Sequence, residues 1–387
     1  MAIDNIKELS LALLPEMILW RREIHQNPEL SFQEQSTGTF VCSILQQHGI
    51  TFSRVATNGV LAIINGTEPD PTHPMVLRAD MDALPINELS GVEWASTNGL
   101  MHACGHDMHT AGLLGALVLL EQNRQRWHGT VWGLFQPAEE MHPGGASVVI
   151  GEGTFKGVEP RFFLGAHCSP ELETGVIGLC QGQFMASTDE IHMTIHGAGG
   201  HGAMPHQLQD TVLAQAAVVM ALQQVVSRRC NAFIPTVLSF GKVVAAGATN
   251  IIPSEVYMEG TFRTMDEQWR AQAKEVITQV ACSTALAYGC TAQVDIRDGY
   301  PSVINDPSLT QQAMAVAEKL FGKTGVQIIP KRMTAEDFGF YAARYKALFF
   351  RLGTGGGAPL HNAAFCPNEQ ALAYGAAMMA AFVMAQE

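Results

Sequence analysis

Apolar and polar positions along the chain follow two periods, and the order in which these periods occur predicts the architecture. Apolar residues recur at helical spacing over 6–25 and 34–48, and a run of small apolar side chains fills 111–120. Short apolar runs bounded by turn residues predict buried strands at 60–64, 75–78, 130–136 and 162–167. Strands that alternate with helices are typical of an α/β sheet whose polar residues gather along one edge.

The pattern changes in the middle of the chain. Four strands are predicted at 187–196, 236–245, 255–264 and 291–298, with helices at 207–228 and 266–288. This βαββαβ order is that of a ferredoxin-like unit. The first pattern then returns, with helices at 306–321 and 371–385 around a strand at 348–352. We therefore predict one domain formed by residues 1–182 and 299–387, and a second domain, 183–298, inserted in it.

Length, charge and cysteine usage narrow the class of protein. A chain of 387 residues exceeds one ordinary core, which also favours two domains. The formal net charge of -13 argues against nucleic-acid binding, and no apolar stretch reaches membrane-spanning length without a break. Residues 1–10 lack a basic start followed by an apolar block, so we expect no signal peptide. Eight cysteines without a Cys-x-x-Cys pair favour reduced thiols in a cytoplasm.

The densest cluster of chemically reactive side chains is the motif MHACGHDMH at 101–109, which directly precedes the apolar run. We expect this cluster to lie on the loop that enters a buried helix. Cys104 and His106 are separated by one glycine and can turn toward a single point, and sulfur with imidazole is a zinc-like ligand pair. The alternative is a buried cysteine and surface histidines near a helix cap. The density of polar groups favours a metal site, because such groups are costly to bury unless something neutralises them.

Acidic residues follow two of the predicted strands. Asp80 and Asp82 come after the strand at 75–78, and Glu139 and Glu140 come after the strand at 130–136. Turn-forming aspartates and a solvated glutamate pair are the alternative interpretation. Because ligands of open α/β sheets bind at the carboxyl ends of strands, we favour a site at this edge, which His167 reaches from a further strand.

Five motifs occur together and in order: RADMDALP at 78–85, MHACGHDMH at 101–109, QPAEE at 136–140, LGAH at 164–167 and PLH at 359–361. In this combination the chain resembles the dinuclear-metal aminoacylase and carboxypeptidase family. The most similar branch contains hippurate hydrolases, N-acyl-amino-acid amidohydrolases and the auxin-conjugate hydrolases of plants. The resemblance implies a mixed-sheet catalytic domain of zinc-exopeptidase type with an inserted ferredoxin-like domain that serves as lid and dimerisation module.

The resemblance also implies a site that holds two divalent metal ions, which could be zinc, manganese, nickel or cobalt. The implied ligands are Cys104, His106, Glu140, His167 and His361, and Glu139 would be the general acid/base. Physical chemistry agrees, since amide hydrolysis near neutral pH needs a hydroxide-like nucleophile, and two metal ions can lower the pKa of a water to about 7. A neighbouring carboxylate must then accept its proton and pass it to the leaving amine.

One motif departs from the wider family. Other branches carry a histidine two residues before the aspartate that orients a metal-bound histidine, whereas here Asp80 precedes Asp82. The role of Asp82 therefore stays open. In the inserted domain, His201 of GAGGHGAMP resembles the lid histidine that polarises the scissile carbonyl, often from the partner subunit. Asn250 and Arg263 resemble residues that hold the substrate carboxylate, although a turn residue and a strand ion pair are the structural alternatives for His201 and Arg263.

These features predict a cytoplasmic amidohydrolase, assembled as a homodimer or homotetramer through the inserted domain, that acts on N-acyl amino acids. Two other functions stay open. A relative that holds metal or a small ligand could have lost turnover, although the presence of Glu139 argues against this. A thiol hydrolase could instead use Cys104 with a histidine partner.

Overall fold

The computed structural model describes Ile3 and residues 5–386, which divide into two compact units. The first unit contains the chain up to Gly182, Ile304–Lys331 and the chain from Phe340 onward. The second contains Gln183–Val303 and Arg332–Gly339, so that 299–303 and 332–339, both placed in the first domain by the prediction, group with the second unit. The prediction of no signal peptide concerns residues 1–10, of which 1, 2 and 4 lie outside the described residues, as does 387 at the predicted domain end.

The helices and strands below are those of the described part of the chain. The α-helices are α1 (Ile6–Gln26), α2 (Gln35–Gln47), α3 (His106–Gln122), α4 (Gly145–Gly151), α5 (Thr211–Gln224), α6 (Glu267–Ala287), α7 (Pro307–Phe321), α8 (Gly339–Ala342) and α9 (Ala371–Met384). The β-strands are β1 (Thr51–Val55), β2 (Gly59–Asn65), β3 (Met75–Asp80), β4 (Thr130–Gln136), β5 (Phe162–Ser169), β6 (Ile177–Leu179), β7 (Gly182–Met185), β8 (Ser187–His196), β9 (Gly200–His201), β10 (Thr236–Val244), β11 (Ile251–Ile252), β12 (Glu255–Thr264), β13 (Thr291–Asp298), β14 (Val303–Asn305), β15 (Val326–Ile328) and β16 (Ala347–Gly353). Among these helices, none is both long enough and apolar enough to cross a membrane.

The first unit is built on a mixed eight-stranded sheet in the order β1-β2-β4-β3-β5-β16-β6-β15. Its central strands β4, β3, β5 and β16 are parallel, while β1, β2 and the β16–β6 pair are antiparallel. All four central strands are buried along their whole length, as expected for a sheet covered on both faces. The predicted α/β class with a mixed sheet is confirmed. The short strands β1, β6 and β15 were not predicted.

Helix α3 lies in the core of this unit and packs against α1 and α9. Small residues allow the close approach: a Cβ on Gly115 would lie 2.2 Å from the sulfur of Met17 and 3.3 Å from Cβ of Ala376. The helix begins at His106, with Gly105 in the left-handed region at its N-cap. The prediction that the whole polar cluster lies on the preceding loop is therefore wrong, because His106 and His109 belong to the first turn of α3.

The second unit contains an antiparallel sheet in the order β10-β12-β8-β13. Helices α5 and α6 pack against this sheet through a shared apolar core, and an aspartate side chain caps the first turn of each. The βαββαβ order and this strand arrangement confirm the predicted ferredoxin-like unit. A two-stranded pair, β9 with β11, was not predicted.

Candidate metal centre

The five predicted ligands come from four separate segments of the first unit. Cys104 lies in the loop before α3, His106 begins α3, and His167 lies near the carboxyl end of β5. Glu140 follows β4, and His361 lies on the loop after β16. The cysteine and the first two histidines are buried, Glu140 is partly buried, and the side chain of His361 is 54 % exposed. The set is therefore a mostly buried cluster with one accessible side.

The structure brings these five side chains together around the sulfur of Cys104. Sγ of Cys104 lies 3.3 Å from Nε2 of His167 and 3.2 Å from Nε2 of His361. The same nitrogen of His361 lies 3.2 Å from Oε1 of Glu140. Two sets of three ligand atoms result, each with all atoms within 4.8 Å of one another: Cys104, His106 and His167 form one, and Cys104, Glu140 and His361 the other. The cysteine sulfur belongs to both sets.

A metal ion fits this cluster on the evidence of one buried atom. Nε2 of His106 has no hydrogen-bond partner among the described residues, although the whole side chain is buried. A buried polar atom left in this state costs about 1–3 kcal/mol, and a cation would remove that cost. One sulfur, one carboxylate and three imidazoles form a donor set suited to zinc and also to manganese, cobalt or nickel.

The charge balance points the same way. Burial disfavours the protonated ring of His106, but Asp80, then Asp82 and Glu140, outweigh burial and raise the pKa of His106 to about 10. Burial, followed by the charges of Glu140 and Glu139, raises the pKa of the Cys104 thiol well above its usual value. The carboxylates around the cluster therefore favour positive charge at this position, which a divalent cation would supply.

Asp82 holds two of the predicted ligands in place. Nδ1 of His106 donates to Oδ1 of Asp82 at 3.1 Å, which leaves Nε2 directed at the ligand set. The other carboxylate oxygen accepts from Ser31 Oγ at 2.6 Å and from the backbone N–H of Glu140 at 2.9 Å. Burial opposes ionisation of Asp82, yet these hydrogen bonds, that from His106 foremost, lower its pKa. This geometry is that of an orienting carboxylate.

The backbone of His361 is in an uncommon conformation. Its φ of 61° lies in the left-handed region, which a histidine adopts at a cost of roughly 1–3 kcal/mol. The backbone N–H of His361 donates to the carbonyl of Ala103 at 2.8 Å, so the residue before Cys104 holds this loop directly. Gly355 and Gly357 upstream also have positive φ, which lets the chain turn back toward the cluster.

Glu139 is buried and lies beside the predicted ligands. One of its carboxylate oxygens lies within 4.8 Å of a ligand atom of His106 and of Glu140. The preceding residue, Ala138, has a φ of 54°, and both its backbone N–H and its carbonyl form hydrogen bonds. Its N–H donates to Oε1 of Glu34 at 2.7 Å, and its carbonyl accepts from the N–H of Gly145 at 2.8 Å. The direction in which Glu139 leaves β4 is thus set by its neighbours.

Glu34 was missed by the sequence analysis, which placed it only at the start of a helix. Its side chain is fully buried, and burial followed by the charge of Asp82 raises its pKa to about 7. No local pattern distinguishes it, since an acid before an apolar helix is a common surface feature. Only its contact with Ala138, 104 positions along the chain, reveals it.

The three predicted substrate-binding residues lie in the second unit. His201 and Asn250 are neighbours, because β9 pairs with β11 and the N–H of Gly202 donates to the carbonyl of Asn250 at 2.9 Å. Nδ1 of His201 accepts from the N–H of Ala203 at 3.1 Å, so the ring proton resides on Nε2. Arg263 lies on β12 and donates to the carbonyl of Met333 at 3.0 Å, and burial lowers its pKa.

The comparisons with known proteins agree on one protein family. Residues 76–385 match the family model described as peptidase family M20/M25/M40. A Geobacillus stearothermophilus protein named N-acyl-L-amino acid amidohydrolase is 42% identical over 307 residues, which cover 79% of this chain and 82% of that protein. A Bacillus subtilis protein named N-acetyl-L-cysteine deacetylase is 38% identical over 374 residues, 95% of this chain and 88% of that protein.

A solved structure agrees in fold over almost the whole chain. The crystal structure of the Bacillus subtilis YXEP protein, described as a dinuclear metal-binding peptidase from the M20 family, superposes with a TM-score of 0.85 at 34% identity. The match covers 96% of this chain and 98% of that protein.

Proposed function

The chain belongs to peptidase family M20/M25/M40 and hydrolyses amide bonds, and on that premise we propose that it releases free amino acids from N-acyl L-amino acids. The acyl group would be acetyl, benzoyl or similar, so that the activity resembles that of a hippurate hydrolase. Relatives named for N-acyl-amino-acid hydrolysis and for N-acetylcysteine deacetylation support this substrate class.

The observation that carries the proposal is the shared sulfur. Sγ of Cys104 lies within 3.3 Å of Nε2 of His167 and of His361, and belongs to both sets of potential ligands. A thiolate common to two sets can hold two divalent cations close together. We therefore propose that two ions bind per subunit, one in each set, and that their identity is zinc, manganese, nickel or cobalt.

The chemistry would be divided between the ions and Glu139. When bound, two divalent ions would supply a water of low pKa and would polarise the scissile carbonyl. Glu139, beside the ligands, takes the proton of the attacking water and returns it to the leaving nitrogen, a task for which its carboxylate needs no metal of its own. Asp82 keeps the ring of His106 and the backbone of Glu140 in position for this step through its hydrogen bonds to both.

The second unit would recognise the substrate. We assign His201 to the carbonyl oxygen, where its Nε2–H can donate to the developing oxyanion, an interaction typically worth about 3–4 kcal/mol. Asn250 lies next to His201, and we assign it with Arg263 to the substrate carboxylate, which a guanidinium can bind through two hydrogen bonds.

Assembly through the inserted domain, residues 183–298, is part of the proposal. Strand β10 is an edge strand of its sheet, and α5 exposes Leu213 at 55% and Met220 at 75%. An open strand edge beside exposed apolar side chains is suited to pairing with a second copy, as a homodimer or homotetramer. A cytoplasmic location is also proposed, in line with eight cysteines that form no disulfide.

The test is a substrate and metal screen on purified protein. Metal-free protein is loaded separately with manganese, zinc, cobalt or nickel, and assayed with N-acetyl, N-benzoyl and longer-chain acyl amino acids and with free dipeptides. We expect release of the amino acid from at least one N-acyl series, with little turnover of dipeptides. Preferred cleavage of dipeptides would instead assign a peptidase.

Two outcomes would contradict the proposal. Stoichiometric metal without hydrolysis of any acyl amino acid would favour a binding protein. Activity that survives complete removal of metal by a chelator would favour a thiol hydrolase that uses Cys104 as the nucleophile.

A further inference from the structure

We propose that Asp80 and His109 are positioning residues that align His167 toward one metal ion, and that neither is itself a ligand. The inference rests on the two-ion centre of the proposed function. It concerns a third set of potential ligand atoms, those of Asp80, His106 and His109, which also lie within 4.8 Å of one another. A donor set alone would allow a third ion there, and the hydrogen bonds decide against it.

Every polar atom of Asp80 and His109 is already engaged. Oδ2 of Asp80 accepts from Nη1 of Arg78 at 2.6 Å, and Oδ1 accepts from Nδ1 of His109 at 2.6 Å. Nε2 of His109 accepts the backbone N–H of Cys168 at 2.9 Å. Both side chains are buried, and the one lone pair of the His109 ring is already used by the N–H of Cys168, so coordination of an ion by His109 would break a buried hydrogen bond.

The backbone N–H of Cys168 fixes which atom is donor and which is acceptor in each of these hydrogen bonds. A peptide N–H can only donate, so Nε2 of His109 must carry the lone pair and Nδ1 must carry the proton. That proton is given to Asp80, whose other oxygen is held by Arg78. The ring is therefore neutral, in one tautomer, and anchored at both ends.

The ring of His109 supplies a hydrogen-bond acceptor to β5 beyond the point where β5 pairs with β3. The parallel pairing of β5 with β3 ends at the Gly165–Arg78 pair, three residues before Cys168, while β16 continues to pair with β5 on the other side. Beyond that point β3 offers no acceptor for the N–H of Cys168, and the imidazole of His109 supplies one. The end of β5 is thus held on both sides.

The end of β5 carries the ligand. The carbonyl of Cys168 accepts from Nδ1 of His167 at 2.8 Å, which points Nε2 of His167 at the sulfur of Cys104. The rings of His109 and His167 also lie 4.7 Å apart at a steep angle. Arg78, Asp80, His109 and Cys168 therefore form one path that sets the position and tautomer of His167.

The path reaches only one of the two ligand sets. His167 belongs with Cys104 and His106, whereas Glu140 and His361 belong to the other set. A defect in the path should lower the binding affinity for one ion and leave that for the second nearly unchanged. A general loss of stability would lower the affinity for both ions together.

The experiment titrates metal-free protein with cobalt, followed by the thiolate-to-cobalt absorption band and by competition with a chelator. The variants are Asp80→Asn and His109→Phe. The amide of Asp80→Asn can accept from Arg78 or from His109 but not from both, and His109→Phe removes both bonds without changing ring size greatly. We expect one of the two cobalt affinities to fall by roughly 10-fold to 100-fold, with the other within about threefold of wild type.

Two further variants make the result specific. His109→Asn keeps an N–H donor near Asp80, but its shorter side chain has no atom at the position of Nε2 to accept from Cys168, and we expect it to show the same selective loss. Asp70→Asn is the matched control, because Asp70 and His73 form a comparable pair at the surface, 2.9 Å apart and half exposed. The cobalt affinities of this variant should equal those of wild type.

Unchanged affinities in all Asp80 and His109 variants would overturn the inference. So would equal losses at both ions that follow a fall in the melting temperature of the metal-free protein. If wild type binds two cobalt ions and hydrolyses nothing, the proposed function fails while this inference stands.

Discussion

Sγ of Cys104 and Nε2 of His361 lie 3.2 Å apart although 257 positions separate the two residues. The sulfur is also 3.3 Å from Nε2 of His167, so one cysteine lies against both the loop that carries His361 and the central strand β5. This shared atom has a measurable consequence for metal binding.

Cys104→Ser should weaken the binding of both ions, because the sulfur belongs to both ligand sets, whereas His361→Asn should weaken the binding of only one. We expect Cys104→Ser to retain less than one ion per subunit after dialysis and to lose at least about 100-fold in kcat/KM. Elemental analysis of dialysed protein measures this, with the exposed Cys366→Ser as the control. Selective loss of a single ion from Cys104→Ser would contradict a bridging role.

Glu139→Gln should bind metal normally and hydrolyse slowly. The amide cannot accept the proton of the attacking water, so kcat should fall by about 10²–10⁴-fold while KM changes little. Glu140→Gln is the comparison, and there the loss of a ligand should appear as reduced metal content. Wild-type turnover in metal-saturated Glu139→Gln would remove Glu139 from the mechanism.

Stability of the metal-free protein should depend on pH through Glu34, whose pKa is raised to about 7 by burial and then by Asp82. Its pKa in the unfolded chain is about 4.3, so the folded state holds the proton more tightly. The stability contributed by the protonated group is therefore full below about pH 4 and is lost as pH rises through 7. One pKa unit corresponds to about 1.4 kcal/mol, so the loss is at most on the order of 4 kcal/mol.

Glu34→Gln isolates this effect, because the amide oxygen can still accept from Ala138 but cannot ionise. In urea unfolding at pH 5 and pH 8, the variant should gain stability relative to wild type at the higher pH. Glu34→Ala should be destabilised at both, since it leaves the N–H of Ala138 unpaired, and its kcat should fall because Glu139 loses its support. Equal pH profiles for wild type and Glu34→Gln would contradict the expected titration.

Mixing two inactive variants tests where His201 acts. His201→Ala should keep its metal and lose about 10²–10³-fold in kcat, as expected for the loss of an oxyanion donor. If His201 serves the partner's active site, a mixed dimer of His201→Ala and Glu139→Gln contains one intact site. Exchanged subunits should then regain a fraction of wild-type activity, whereas no recovery in a verified mixed dimer would place His201 in its own subunit's site.

Much of the fold follows from local periodicity. The apolar strand runs predicted β2, β3, β4 and β5, the alternation over 187–196 predicted β8, and the strands β10, β12 and β13 were also predicted, because such patterns report a buried face of a single element. Short elements such as β1, β6 and the β9–β11 pair were missed because two to five residues do not establish a period. The start of α3 at His106 was missed since its first turn is polar, and polarity at a helix entrance resembles a loop.

The sequence by itself determined the kinds of atoms available for chemistry and the segments that carry them: the cluster at 101–109, the glutamate pair after β4, His167 on β5 and His361 near the end. Their roles as ligands came from motif order, not from spacing. Only the tertiary structure decided which atoms meet, that Cys104 is shared, and that Asp80 and His109 are hydrogen-bonded to each other, to Arg78 and to the backbone of Cys168. The physical reason is that periodicity reports burial along one element, whereas a buried polar atom must find its partner anywhere in the fold.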